Sequence, residues 1–351
     1  MPDQIQICSN CVLDTKEVPD LTFDCNGVCQ YCIDWHKREK TRLLEAQELP
    51  WILDDIRKQG RGKQYDCLLG LSGGVDSSLC LHYLVENEIR PLCWSMDNGY
   101  NSDVSDENIM KMVEKLKIPF IKKVIDLNEY SDLQAAFLKS GVKNIEIPTD
   151  HILMALQYET AIEHGINRII GGGNHATEGI MPESYGYNAQ DLRHILAIYK
   201  KFCKRKRPDL PLMSLFGYIK ARFIKDIRVI NLLDFYPNYN RNEAIEFLKD
   251  RYDYVSYGEK HCENTFTSWF QTWYLPNKWG LDKRKPHFSS LINSGQMTRK
   301  EAMQKLLERQ EFPELNIEDR IMKFARHEHS YYKNSKRLRD FLSRIYVYLK
   351  R

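Results

Sequence analysis

Ser72-Gly73-Gly74-Val75-Asp76-Ser77-Ser78 sets hydroxyls, two glycines and a carboxylate between an apolar run, Cys67 to Leu71, and a helix-patterned run, Leu79 to Val85. That order predicts strand, glycine turn, helix. Glycine lets the backbone turn sharply and approach a ligand, and the first N–H groups of a helix have no internal acceptors, so the segment is suited to an anion. The three serine hydroxyls add donors. A Walker loop would place a Lys after its second glycine, where this chain has Val75 and Asp76. The alternative is a plain glycine turn with a serine-rich helix cap.

A second glycine-rich stretch, Gly171-Gly172-Gly173-Asn174-His175-Ala176-Thr177-Glu178, follows the strand-like Arg168-Ile169-Ile170. Consecutive glycines lose much entropy on folding, so Gly172 and Gly173 imply a backbone that passes close to something bulky such as a triphosphate. Glu178 would join Asp76 as a carboxylate for Mg²⁺, which prefers oxygen ligands shared with phosphate. The alternative is a mobile surface loop. Cys8-x-x-Cys11 and Cys29-x-x-Cys32 have zinc-ribbon spacing, and four thiolates would close a tetrahedral shell around a structural Zn²⁺. Redox pairs or plain buried thiols compete, and Cys25 is a fifth candidate ligand. Toward the C-terminus, Lys260-His261 and Asp282-Lys283-Arg284-Lys285-Pro286-His287-Phe288-Ser289-Ser290 are rich in donors that suit a diphosphate, with a solvated loop as the alternative.

These groups need a scaffold. Pro91 to Met96, Pro119 to Ile125 and Asp226 to Leu233 read as further strands, with helices at about 103–117, 127–139 and 151–164 between them. Strands alternating with helices predict an α/β fold with a parallel sheet and ligands at the strands' carboxyl ends. Before the sheet lie a charged connecting helix, Trp35 to Leu49, and a short amphipathic one, Trp51 to Lys58. After it comes a helical, aromatic region with Phe266, Trp269, Phe270, Trp273 and Tyr274 at helix spacing, a capping box at Thr298 to Glu301, and further helices at Ile317 to Arg326 and Ser335 to Lys350. The expected parts are 1–48, zinc ribbon and connecting helix; 49–235, the nucleotide domain; and 236–351, a helical region for substrate or partner.

With 51 basic and 48 acidic residues among 351, the chain is nearly balanced and carries no global field toward nucleic acid or membrane. Lys200 to Arg207 form a basic run that Pro208 ends; an RNA-contacting face competes there with cations gathered at a helix C-terminus. No apolar stretch of about 18 residues occurs, and Met1-Pro2-Asp3-Gln4 lacks the features of a signal peptide, so a cytoplasmic protein is expected. In a reducing compartment ten cysteines point to metal or catalysis before disulfides.

The serine-glycine segment resembles the PP-loop of the ATP pyrophosphatases (adenine nucleotide alpha-hydrolase-like fold). These hold the β- and γ-phosphates of ATP in the loop, expose the α-phosphorus and release pyrophosphate after adenylating a substrate. The resemblance places adenine beside Met96 and Asp97. Over nearly the whole chain, the order of the paired cysteines, this loop, Gly171 to Gly179, Gly258-Glu259-Lys260-His261 and Asp282-Lys283-Arg284 to Ser294-Gly295-Gln296-Met297-Thr298-Arg299 resembles the N-acetyl sugar amidotransferases of surface-polysaccharide and nonulosonic-acid pathways. That resemblance implies conversion of an acetamido group on a nucleotide-activated sugar to an acetamidino group. Ser72, Gly73, Gly74, Ser77 and Ser78 would hold pyrophosphate, Asp76 and Glu178 its Mg²⁺, and Lys260 and Arg284 would offset charge at the α-phosphorus. Pro2 follows Met1, and no glycine-rich Cys elbow suggests a built-in glutaminase, so ammonia is expected from separate glutaminase and cyclase-like subunits. A tRNA-thiolating PP-loop enzyme is the rival, weakened by the near-neutral charge and the lack of an evident pair of sulfur-transfer cysteines.

Overall fold

A computed structural model describes residues 5–186, 188–203, 206–256 and 263–308. Lys260, Lys204, Arg205 and the helices expected after residue 308 lie outside the described residues. The described elements run α1 (Gln30–Glu45), α2 (Leu49–Gly60), β1 (Cys67–Gly70), α3 (Val75–Glu86), β2 (Pro91–Asp97), α4 (Asp103–Leu116), β3 (Phe120–Val124), α5 (Leu127–Ser140) and α6 (Ile147–Glu163). They continue with β4 (Arg168–Gly171), α7 (His175–Glu178), α8 (Leu192–Cys203), α9 (Leu215–Ile219), β5 (Arg228–Asn231), α10 (Arg241–Tyr252), α11 (Thr265–Trp269), α12 (Arg284–Asn293) and α13 (Arg299–Leu307). Five parallel strands stand in the order β3-β2-β1-β4-β5.

This order follows from the sequence. Short apolar strands joined by helices must cross over, and crossovers give parallel neighbours. The chain leaves β1 toward β2 on one side and returns to β4 on the other, with Leu68 beside Ile169 and Leu69 beside Ile170. The crevice of such a sheet opens where the strand order reverses, and the loops after β1 and β4 meet there. Helix α3 is buried nearly all round; Leu79, Leu81 and Leu84 join Leu53, Ile56, Leu69, Ile109 and Leu248 in one core.

Local chemistry sets the element ends. Ser102 caps α4 by accepting the Ser105 N–H, and Lys117 closes it in the left-handed conformation at φ 54°. Pro50 stands in the first turn of α2, where a missing N–H costs nothing. The last strand is shorter than the expected 226–233, because Asp226 has φ 49° and 232–235 tightens into a 3₁₀ turn. The aromatic run begins as α11 and continues as a π-helix, Phe270–Trp279, containing Pro276, with Phe266, Trp269, Phe270 and Tyr274 buried.

The described residues fall into two compact units. Those of Met1–Val124, Leu156–Gly186 and Ile219–Phe312 form the first, and those of Ile125–Ala155 and Tyr187–Tyr218 the second. The expected boundaries at 48/49 and 235/236 both fall inside the first unit. In the second, α5 packs on α8 around Tyr130, Leu133, Phe137, Ile195 and Ile198. Here Met213 N–H donates to His151 Nε2 (3.1 Å), leaving Nδ1–H for the Ala189 carbonyl (2.7 Å). Lys200 and Lys201 sit in the last turn of α8, where the helix dipole favours cations.

Candidate functional site

Gly74 is the N-cap of α3, its N–H donating to Ser72 Oγ (3.2 Å), while Ser77 Oγ donates back to the Gly74 carbonyl (3.3 Å). The serine hydroxyls therefore shape the turn, and the first amides of α3 face the space beyond it. Gly73 has φ +74°, and a Cβ there would stand 2.3 Å from the Ser105 carbonyl oxygen. Buried Asn108 fixes the opposite side, with its amide N–H on the Val255 carbonyl (2.9 Å) and its oxygen accepting the Val255 N–H (2.9 Å).

After β4 the second loop lies against the first. A Cβ on Gly172 would come within 3.2 Å of the Ser77 nitrogen, so part of the bulk that its glycine accommodates is the N-terminus of α3. Asn174 caps α7, accepting the Thr177 N–H (2.9 Å), and sends its amide to Asp76 Oδ2 (3.3 Å). Buried Tyr239, its hydroxyl pushed well up by burial and by the neighbouring Asp76, stays protonated and donates to Asp76 Oδ1.

Between the loops lies a cavity of ≈ 220 Å³. Ser72, Gly74, Val75, Asp76, Ser77, Gly172, Gly173 and Glu178 line it, together with Arg241 and Glu263. Asp76 and Glu178 thus share one space with helix amides, a donor set suited to a phosphate chain carrying a divalent cation. Other expected residues are placed elsewhere. Gly73 packs on Ser105, and Ser78 is buried in α3. Met96 is buried, and Asp97 accepts the Gly99 N–H (2.9 Å) and pairs with Lys122 (3.2 Å), which together hold its carboxyl below the usual range. Neither lines this cavity.

Arg284 does not reach it either. Its guanidinium is committed to Asp282 (2.7 Å) and to the Lys305 and Glu308 carbonyls (2.9 and 3.0 Å). The donor-dense stretch is a helix, α12, whose donors serve protein groups. Lys285 bridges Asp14 (2.5 Å) and Glu17, His287 Nδ1 meets the Thr177 carbonyl (2.9 Å), and Ser290 Oγ accepts the Ile180 N–H (3.0 Å). The loop bearing Glu178 is thus held from behind. On its other side Trp35 stacks on His175 at 4.6 Å; the indole N–H donates to the His175 carbonyl (3.1 Å), and His175 Nε2 donates to the Trp35 carbonyl (3.0 Å). Burial pushes His175 below its ordinary value, so it makes that bond as a neutral ring.

Trp35 belongs to α1, which grows out of the four-cysteine segment. Cys8, Cys11, Cys29 and Cys32 are fully buried with all four sulfurs within 4.8 Å of one another, while Cys25 is exposed. Sulfur separations are 4.0 Å (Cys8–Cys32), 3.8 Å (Cys11–Cys29) and 3.7 Å (Cys29–Cys32). The Cys11 and Cys29 amides donate to Cys8 Sγ, and Asn293 donates to Cys32 Sγ (3.3 Å), bonds that favour thiolates. This is a metal site by its donors.

Residues 46–206 match the NAD synthase family model, and 263–343 match that of the LPS biosynthesis protein WbpG-like, C-terminal domain. The first match contains the serine-glycine loop on its strand and helix, in the five-stranded parallel sheet described above. Residues 46–206 thus form a PP-loop domain of the NAD synthase type. This PP-loop protein is similar to an NH3-dependent NAD synthetase from Campylobacter jejuni at 16% identity, covering 80% of this chain and 98% of that one with a TM-score of 0.34. It is also similar to the U34-tRNA thiolase NcsA from Methanococcus maripaludis, solved with its [4Fe-4S] cluster, at 15% identity, covering 89% and 90% with a TM-score of 0.38. No curated protein matches the chain.

Sequence reasoning missed Tyr239, Asn174 and Arg241. Asn174 stood in view beside the glycines; Tyr239 and Arg241 lie about 60 residues further on, past the expected boundary at 235/236, and nothing local marks them. Gly73→Ala is expected to destabilise the protein by about 2 kcal/mol or more and to abolish ATP binding, since it meets both left-handed strain and a backbone clash. Gly62→Ala, at φ +75° with nothing near its Cβ, is the control and should cost only about 1 kcal/mol. Denaturant melts and ATP titration compare the two; equal melts with intact ATP affinity would contradict the described loop.

Proposed function

We propose that this PP-loop enzyme adenylates the acetamido oxygen of a nucleotide-activated N-acetyl sugar and lets ammonia replace it, leaving an acetamidino group. The carrying observation is the pairing of a PP-loop cavity that presents Asp76 and Glu178 with a C-terminal region of the WbpG-like LPS biosynthesis type. An amide oxygen is a poor leaving group. Once that oxygen attacks the α-phosphorus and pyrophosphate departs, the imidate carbon carries AMP, a stable leaving group. Ammonia then adds at carbon and AMP leaves with the former acetamido oxygen, a proton passing to solvent.

The amides of α3 with Ser72 and Ser77 would hold the departing pyrophosphate, and Asp76 and Glu178 would carry Mg²⁺, which neutralises phosphate charge. Tyr239 and Asn174 orient Asp76 for that task. Ammonia would come from separate glutaminase and cyclase-like subunits, and the reaction belongs in the cytoplasm, where nucleotide sugars and ATP meet; no helix among the described residues is long and apolar enough to cross a membrane. The tRNA-thiolating alternative draws on the Lys200 to Arg207 run, yet Lys200 and Lys201 suit the helix end they occupy.

For the thiol site we propose Zn²⁺. A tetrahedral shell with Zn–S of about 2.3 Å has edges of about 3.8 Å, which the sulfur separations of 3.7 to 4.0 Å fit. An iron–sulfur cube inserts four irons and spreads its thiolates much further. Elemental analysis should find one zinc per chain, lost together with folding cooperativity in Cys11→Ala; iron with a visible absorption band would contradict this. Substrate is tested by incubating the chain with ATP, Mg²⁺, ammonium and a panel of nucleotide-linked acetamido sugars. Mass spectrometry should find oxygen replaced by NH in one of them, and ¹⁸O placed in the acetamido group should appear in AMP. Thiolated tRNA as the only product would overturn the proposal.

A further inference from the structure

With Arg284 committed elsewhere, the described residues leave one basic side chain lining the PP-loop cavity, Arg241. That cavity also carries Asp76, Glu178 and Glu263, so it disfavours a polyphosphate unless positive charge is supplied. Helix amides and a divalent cation supply some. Arg241 is half-buried, and among the described residues its guanidinium makes no hydrogen bond or ion pair. Every other buried or half-buried arginine invoked above is already paired, as Arg284 is with Asp282 and Arg168 of β4 is with Asp55 (2.5 Å).

The backbone around Arg241 is fixed with unusual completeness. Asn240 caps α10, its side chain accepting from the Asn242 and Glu243 N–H groups, so the Arg241 N–H needs another acceptor. It finds Gln296 Oε1 at 2.9 Å, and the same amide sends its N–H to the Tyr239 carbonyl at 3.1 Å. One side chain thus clamps both the residue that orients Asp76 and the arginine beside it. Gln296 sits in the Ser294 to Arg299 turn, whose Arg299 donates to the Cys11 and Cys8 carbonyls (3.0 and 3.1 Å) of the thiol site.

We propose that Arg241 is the side-chain cation that binds the outer phosphates of ATP and the pyrophosphate they become, and that Gln296 is its positioning residue. This rests on the adenylation reading and assigns it a residue. A guanidinium gives two parallel N–H groups to phosphate oxygens, a bidentate match that a lysine ammonium lacks. Placed on the outer phosphates, it draws charge from the bond that breaks at the α-phosphorus.

The test measures binding of inorganic pyrophosphate, ATP and AMP, each with Mg²⁺, by calorimetric titration of the full chain and of Arg241→Ala, Arg241→Lys and Gln296→Ala, each first shown to melt like the wild type. Loss of a charged hydrogen-bonding partner should weaken pyrophosphate and ATP about 10- to 100-fold in Arg241→Ala, with AMP changed less than about 2-fold. Arg241→Lys should recover part of the loss, and Gln296→Ala should fall between wild type and Arg241→Ala. Unchanged pyrophosphate affinity in Arg241→Ala, or equal losses for AMP and pyrophosphate, would overturn the assignment while leaving adenylation standing. Wild-type protein that binds neither ATP nor pyrophosphate would overturn both.

Discussion

Two backbone segments pass so close to their neighbours that side chains are excluded, Gly73 against the Ser105 carbonyl and Gly172 against the first turn of α3. The pairing of β1 with β4 forces this proximity, because their carboxyl ends deliver both loops to one crevice. From it follow the outward-facing amides of α3, the meeting of Asp76 with Glu178, and the Asn174 bridge between the loops. A phosphate chain is then met mainly by backbone, whose donors cannot be ionised away or rotated aside.

Such loops are poor at holding themselves, since glycine contributes no packing and gives up entropy to become ordered. The remaining parts of the first unit supply the missing rigidity. Trp35 and His175 clasp each other through two hydrogen bonds and a stack, and His287 and Ser290 of α12 hold the same segment through the Thr177 carbonyl and the Ile180 N–H. The thiol site anchors both braces: α1 leaves it directly, and Asn293 and Arg299 bind its Cys32 sulfur and its Cys8 and Cys11 carbonyls. A metal placed there would hold both braces still.

Much of the fold was legible because the signals were local. Apolar strands of four to seven residues, caps at Ser102 and Thr298, and glycine turns all depend on neighbours in sequence. The serine-glycine loop and the paired cysteines were legible for the same reason. The donor-rich stretch from Asp282 to Ser290 was misleading, because donors read identically whether they face a ligand or a protein carbonyl, and here Lys285, His287 and Ser290 face protein groups. Arg241 and Tyr239 carried no local signature; only the return of the chain after β5 brings them to the first loop, and that return is a tertiary event.

If the cavity grips the outer phosphates so that the inner one is transferred, turnover with an acetamido sugar and ammonium yields AMP and pyrophosphate in equal amounts, matching the amidine formed. Quantifying the nucleotide products during turnover decides it, and ADP with inorganic phosphate would rule that transfer out.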